Sequence, residues 1–388
     1  MHDVLEGFVD RAEVPGMVGL VSKGGDVHVE TVGYTSLDRT QTMKRDTIFR
    51  IASMSKPVVS VAAMILVEEC KLRLDDPVDE HLPELANRRV LKQMDGSLDQ
   101  TVPANRPITL RDLLTFRWGF GMVMAPPGSY PIYEAAIKNG IRVGIPRPQE
   151  QPGPDEWMRG MGALPLMHQP GERWMYDTGS DVLGVLVGRV AGQTLGTFLR
   201  ERIFNPLGMR DTAFFVPQEK TSRFTTSYWG GAGKLEVFDE SEGGQWNRQP
   251  AFESGAGGLV STVDDYLAFS QLLLDKGKCK GGRILSRASV ELMTADHLTS
   301  AQKIVSGLTP GDFDNRGWGF GVSVVTQRDD VASSVGQFGW NGGLGTSWFA
   351  DPNEGLTGLL LTQRAWTSPV PPKASLDFAT TAYSAIDD

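Results

Sequence analysis

The sequence is short of the side chains on which much enzyme chemistry relies. Its 388 residues include five histidines and two cysteines. Cys70 and Cys279 are too few for a cysteine-rich zinc site, an iron–sulfur centre or a disulfide framework, and their separation reads as two free thiols in a reducing compartment. The histidines (His2, His28, His81, His168 and His297) contain no pair at metal-ligand spacing, so neither a metal nor another cofactor is expected. None of them neighbours a candidate nucleophile, although a triad assembled from distant positions stays open. Basic blocks are missing too. With 38 Lys and Arg against 47 Asp and Glu the net charge is −9, which offers no footprint for nucleic acid or an anionic membrane surface. The longest apolar run, 58–67 with Ser60 inside it, falls short of the roughly 20 residues of a membrane span. The first nine residues lack the basic and apolar regions of a signal peptide, and a cytoplasmic location is the resulting expectation.

What is present describes a folded chain with many loops. Hydrophobic residues make up 40%, charged residues 22%, and there are 45 glycines and 23 prolines, enough for long connections but not for disorder. After an amphipathic segment carrying Val4, Leu5, Phe8 and Val9, two β-rich runs at 17–22 and 27–33 flank Gly24-Gly25 and predict a hairpin. The same pattern returns at 345–350 and 356–363, followed by a helix over 374–386. Between these ends, helical patterns at 109–116, 181–191 and 195–204 alternate with Pro- and Gly-rich stretches, the longest being 144–154. The expectation is an α+β fold: one antiparallel sheet built from both ends of the chain and flanked by helices, with an inserted, mostly helical region. Its units would be 1–70 with 251–388, and 71–250, with a site where they meet.

No serine has the flanking glycines of Gly-x-Ser-x-Gly, which argues against an α/β-hydrolase, and no phosphate loop is present. The cluster Gly255-Ala256-Gly257-Gly258 reads as a tight loop before a helix capped near Thr262. Chemistry is concentrated in Ser53-Met54-Ser55-Lys56-Pro57, which leads into the apolar run. Pro57 is tolerated only in a first helical turn, so a buried helix must begin near Ser53. Ser53 and Lys56, three residues apart, then share one face of that turn, beside free backbone N–H groups suited to a developing oxyanion. For Lys56 to take the serine proton, burial would have to lower its pKa from about 10.4. A second Ser-x-x-Lys, Ser300 to Lys303, lies in a polar stretch and is read as coincidental.

Together with 108–115, Gln169-Pro170-Gly171-Glu172-Arg173-Trp174-Met175-Tyr176 and Asn205-Pro206-Leu207-Gly208-Met209, this motif makes nearly the whole chain resemble the serine β-lactamase-like superfamily. The likeness is to class C β-lactamases and the family VIII carboxylesterases that share their fold. The resemblance implies Ser53 as acyl-accepting nucleophile, Lys56 as its proton partner, and Tyr176 as general base and proton donor to the leaving group. It places the oxyanion hole at the backbone N–H groups of Ser53 and Gly343. The third family motif, Lys-Thr-Gly or His-Thr-Gly, falls on Trp340-Asn341-Gly342, expected beside the substrate. A tryptophan there cannot hold a β-lactam carboxylate as a lysine does, and it resembles the esterase branch.

The implied function is a serine carboxylesterase acting on small, short-acyl esters. Alternatives are a β-lactamase, peptidase or acyltransferase on the same fold, or a non-catalytic binding module. Whether Tyr176 or Lys56 accepts the first proton is open from sequence. Tyr130, Tyr133, Trp157, Tyr228, Trp229 and Trp246 are candidates either for lining an acyl or alcohol pocket or for packing under loops. The expected partner is a small-molecule ester, with no nucleic acid or membrane; the oligomeric state is unknown.

Overall fold

Gly24 and Gly25, with φ of 61° and 97°, occupy the left-handed region that a two-residue hairpin turn needs. They join β1 (Gly16–Lys23) to β2 (Asp26–Gly33), paired from Gly16 opposite Gly33 to Lys23 opposite Asp26. The computed structural model describes residues 1–126, 128–231 and 233–386. Five further strands come from the C-terminal part of the chain: β3 (Arg316–Trp318), β4 (Ser323–Val325), β5 (Phe338–Gly342), β6 (Thr346–Asp351) and β7 (Leu356–Thr362). They complete a seven-stranded antiparallel sheet in the order β3-β4-β5-β6-β7-β1-β2, with Met17 of β1 opposite Thr362 of β7. The sheet is therefore closed by strands from both ends of the chain, as the sequence pattern predicts.

Alternation along β1 splits its side chains between two layers. Met17 packs with Leu5 and Phe8 of α1 (His2–Asp10) and Phe378 of α5 (Lys373–Ser384). Val18 and Leu20 enter the main core on the other face. There Trp348 of β6 lies against Tyr266 and Phe269 of α4 (Val263–Leu274), with ring centroids 5.3 and 6.0 Å away. Deeper in the core, α2 (Ser55–Glu68) is buried on every side from Ser55 to Leu66 and packs against α3 (Gly179–Ala191). Among the described residues no single helix is long and apolar enough to cross a membrane.

The stretch 71–250 holds most of the short helices and long loops, and also two small hairpins, Arg89–Leu91 with Thr101–Pro103 and Ser227–Gly231 with Lys234–Asp239. The second lies against the sheet unit. Tyr228 N donates to Gln363 O at 2.8 Å, Thr226 N donates to Thr35 O at 3.2 Å, and the buried Arg50 pairs with Asp239. By these contacts the end of 71–250 packs with the sheet rather than with the helices.

Two contacts bring β5 against the turn before α2. A Cβ on Gly342 would lie 2.2 Å from the Ile51 carbonyl oxygen, and Thr346 Oγ1 donates to that same oxygen at 3.3 Å. Glycine at 342 thus lets the protein's own backbone approach. Gly342 was expected beside the substrate, and the structure corrects this: the space a side chain would take there is filled by the Ile51 main chain. β4 pairs with β5 only at Phe338 and Gly339, which leaves Trp340 to Gly342 uncovered by it. Replacing Gly342 by alanine should force apart β5 and the Ile51 turn. Denaturant titration is expected to show a loss of about 1–3 kcal/mol, as for other overpacked sites.

Candidate active site

The segment leading to Ser53 is held from outside its own helix. Ile51 N donates to Leu259 O at 3.0 Å, Phe49–Arg50 pairs with Val260–Ser261, and Tyr266 OH donates to Met54 O at 2.8 Å. Ala52 takes a φ of 42°, a strained value for a residue with a Cβ, and a single 3-10 turn over Ala52–Met54 precedes α2. The α-helix therefore starts at Ser55, two residues later than Pro57 alone suggests. Ser53 and Lys56 still face one another across the junction: Lys56 Nζ donates to Ser53 Oγ at 3.0 Å.

Lys56 is fully buried. Its ammonium also donates to Asp177 Oδ1 at 2.9 Å and to Ala256 O at 2.6 Å, and it lies 4.5 Å from the centre of the Tyr176 ring. Three oxygens thus match the three N–H donors of an ammonium. Burial pushes Lys56 down, but the negative charge of Asp177, with Tyr176 and Asp181 behind it, outweighs burial, and the net direction is upward. The condition for Lys56 itself to take the serine proton, a pKa lowered by burial, runs against this direction, because the apolar surroundings come with a carboxylate.

Tyr176 is set in place by backbone contacts on both sides. Met175 N donates to Phe116 O at 2.7 Å and Met122 N to Tyr176 O at 2.8 Å. Its ring stacks on Trp174 with centroids 5.6 Å apart, and Trp340 Nε1 donates to its hydroxyl oxygen at 2.7 Å. A donor on that oxygen stabilises the negative charge it would carry after losing its proton. Trp340 is thus joined by a hydrogen bond to the residue that the family motif implies as base.

Ser53, Tyr176, Asp177, Trp340, Asn341 and Gly343 all line a cavity of about 780 Å³. Gly342 does not line it, for the reason given above. Space is open around Gly343, where a Cβ would meet nothing within 4 Å. No histidine lines this cavity among the described residues; His297, for example, stacks on Phe320 and contacts Leu292 O. The second Ser-x-x-Lys also lies apart, with Lys303 paired to Asp296 at 2.6 Å. Of the six aromatic candidates in loop-rich stretches, only Trp229 reaches the cavity wall, while Trp157 and Trp246 are fully buried packing residues.

Sequence reasoning missed three participants. Asp177 was visible only as the residue after Tyr176. The 255–258 loop, read as a simple turn, delivers the Ala256 carbonyl to Lys56. Asp181, read as part of a helix start, is fully buried, accepts from Ser254 Oγ at 2.7 Å and Ala256 N at 3.0 Å, and so fixes that loop. A carboxylate in the first turn of an otherwise apolar helix was the available signal for it. The Pro- and Gly-rich 144–154 stretch places Gly144, Ile145 and Pro146 on the cavity wall.

Residues 1–380 match the family model described as Beta-lactamase. Protein Rv1367c of Mycobacterium tuberculosis is 40% identical over 349 residues, spanning 87% of this chain and 82% of that protein. Esterase EstB of Burkholderia gladioli is 29% identical, over 90% of this chain and 86% of its own. Among solved structures, EstCE1, a hydrolase with promiscuous acyltransferase activity, superposes with a TM-score of 0.80 at 27% identity, covering 98% of this chain and 97% of that one.

Burial, and then the nearby Asp177, push the Asp181 carboxyl up to about 7. Between about pH 4 and 7 the unfolded chain has released this proton while the native protein retains it, so this group makes stability fall as pH rises through that window. Asp181→Asn should flatten that part of the stability–pH curve. Thermal unfolding of both proteins from pH 4 to 8 measures the difference.

Proposed function

The chain belongs to the β-lactamase family, and we propose that it lies in the class C-like esterase branch and is a serine carboxylesterase acting on small, short-acyl carboxylic esters through an acyl-enzyme on Ser53. The observation that carries this reading is a serine on a cavity wall whose Oγ is 3.0 Å from a fully buried lysine ammonium. The cavity would lie between the 1–70 with 251–388 unit and the 71–250 unit.

In the reaction proposed, Tyr176 acts as the phenolate: Ser53 Oγ attacks the ester carbonyl carbon and its proton passes to the Tyr176 oxygen, which becomes the neutral hydroxyl. The carbonyl π pair moves onto oxygen, where the backbone N–H groups of Ser53 and Gly343 receive it. When that pair returns, the C–O bond to the alcohol breaks, and the departing alkoxide takes the proton held by Tyr176. Water then repeats the sequence on the acyl-enzyme and frees Ser53. Lys56 stays an ammonium throughout and favours negative charge on Tyr176. Trp340 adds a donor to the tyrosine oxygen, Asn341 faces the substrate, and Gly342 shapes the approach of β5.

A second reading, acyl transfer to an alcohol, is favoured by the size of the cavity. About 780 Å³ is in the range that encloses drug-sized ligands, so an acceptor has room beside a short acyl group. EstCE1, by its description, combines both activities. A β-lactamase reading is weaker, since Trp340 supplies no cation for a β-lactam carboxylate.

Ser53→Ala should abolish turnover of nitrophenyl esters and labelling by a fluorophosphonate, with the wild-type adduct mapped to Ser53 by peptide mass analysis. No adduct on folded wild-type protein would overturn the reading. Lys56→Ala and Tyr176→Phe should each lower kcat by about 10³-fold or more, as for groups that act as one unit. Turnover of a chromogenic cephalosporin exceeding that of the esters would instead favour the β-lactamase alternative.

A further inference from the structure

Asp177 follows the implied base directly and is itself neither nucleophile, base nor oxyanion donor. Its environment is nonetheless costly to build. The residue is buried and takes a φ of 88°, a left-handed conformation that is uncommon for a side chain with a Cβ, though less so for aspartate than for most. The two carboxylate oxygens serve different parts of the molecule. Oδ1 accepts from Lys56 Nζ at 2.9 Å, and Oδ2 accepts from the backbone N–H of Gly144 at 2.9 Å. Gly144, with φ of 104°, begins the Pro-rich stretch whose Ile145 and Pro146 form part of the cavity wall.

We propose that Asp177 is a positioning residue that clamps the 144–146 wall to the Lys56 ammonium, so that one carboxylate fixes both the shape of the acyl site and the charge beside Tyr176. The proposal rests on the acyl-enzyme reading given above. A carboxylate suits both tasks because it only accepts hydrogen bonds and each oxygen can serve a separate donor. An asparagine offers one such oxygen and no charge. Since Oδ1 and Oδ2 belong to one planar group, displacement of the wall at Gly144 rotates the oxygen that Lys56 holds, and the two parts of the site respond together.

The charged and titratable groups facing this pair are few. Tyr176 adjoins Lys56, Asp181 in the first turn of α3 acts on Lys56 and itself feels the charge of Asp177, and Tyr133, in the helix Pro131–Lys138, feels the charge of Asp177 as well. Removing the Asp177 charge leaves burial to act on Lys56 with less opposition. The ammonium would then lose its proton at lower pH, and a reaction that needs the ammonium would lose activity there.

The test is the pH profile of kcat/KM for a short nitrophenyl ester with Asp177→Asn, alongside thermal unfolding and fluorophosphonate labelling. The expected result is a folded protein, Ser53 still labelled, kcat/KM about 10- to 100-fold lower at neutral pH as for misplacement near reacting groups, and an alkaline limb moved to lower pH. An alkaline limb that does not move, or an acidic limb that moves down in its place, would overturn the proposal; the second result would make the neutral amine of Lys56 the working form. If Asp177→Asn does not fold, Asp177→Gly, which relieves the left-handed backbone, carries the same measurement. Unlabelled Ser53 in the wild-type protein would bring down the acyl-enzyme reading itself, whereas labelled Ser53 with an unmoved limb removes only the role of Asp177.

Discussion

A cation without access to water lies at the centre of this molecule, and much of the architecture serves to hold it. Lys56 sits at the start of an apolar helix, where an isolated charge would be expensive to bury. Three separate parts of the chain supply its oxygens: the turn that carries Ser53, the segment after Tyr176, and the loop at Ala256. Each of these is anchored in turn, by the Phe49–Arg50 and Val260–Ser261 pairing, by the contacts of 116–122 with 175–178, and by Asp181 beneath Ala256. Removal of any one anchor would disturb the solvation of the same charge.

This dependence explains which parts of the site could be read in advance. Ser53 and Lys56 were legible because helix geometry relates residues three apart, and Pro57 fixes where the helix begins to within a turn. The antiparallel sheet was legible because Gly24-Gly25 and the alternating runs around it are local signals, repeated near 345–363. Tyr176, Trp340 and Gly343 received their roles only through resemblance, since the residues that they meet in the site lie far away in sequence. Asp177 and the Ala256 carbonyl were not legible at all. One is a common residue type whose importance comes from its φ and its two partners; the other is a backbone atom with no sequence signature.

The protonation state of Lys56 illustrates the limit of pattern reading. The apolar run 58–67 correctly implies burial, and burial alone lowers a lysine pKa. What opposes burial is the carboxylate of Asp177, which lies far away in sequence and arrives through the packing of α3, just after it, against α2. Hydrophobic periodicity reports the solvent that a helix loses and carries no information on which charges replace it. The same reasoning applies to Gly342, where a neighbouring main chain, rather than a ligand, fills the space a side chain would take.

The strand order has a consequence for how the protein is made. β1 is synthesised well before one of its two neighbours, β7, which follows it only after most of the strands and helices described here. Such a pairing closes a very long loop and forms slowly compared with local contacts. Until it forms, the hairpin of β1 and β2 exposes an unpaired edge and an apolar face, the kind of surface on which chaperones act. Ser53 and Gly343 are separated along the chain in the same way. On the proposed mechanism a nascent chain therefore carries Ser53 before its second backbone donor has been made, and gains the complete site only when the sheet closes.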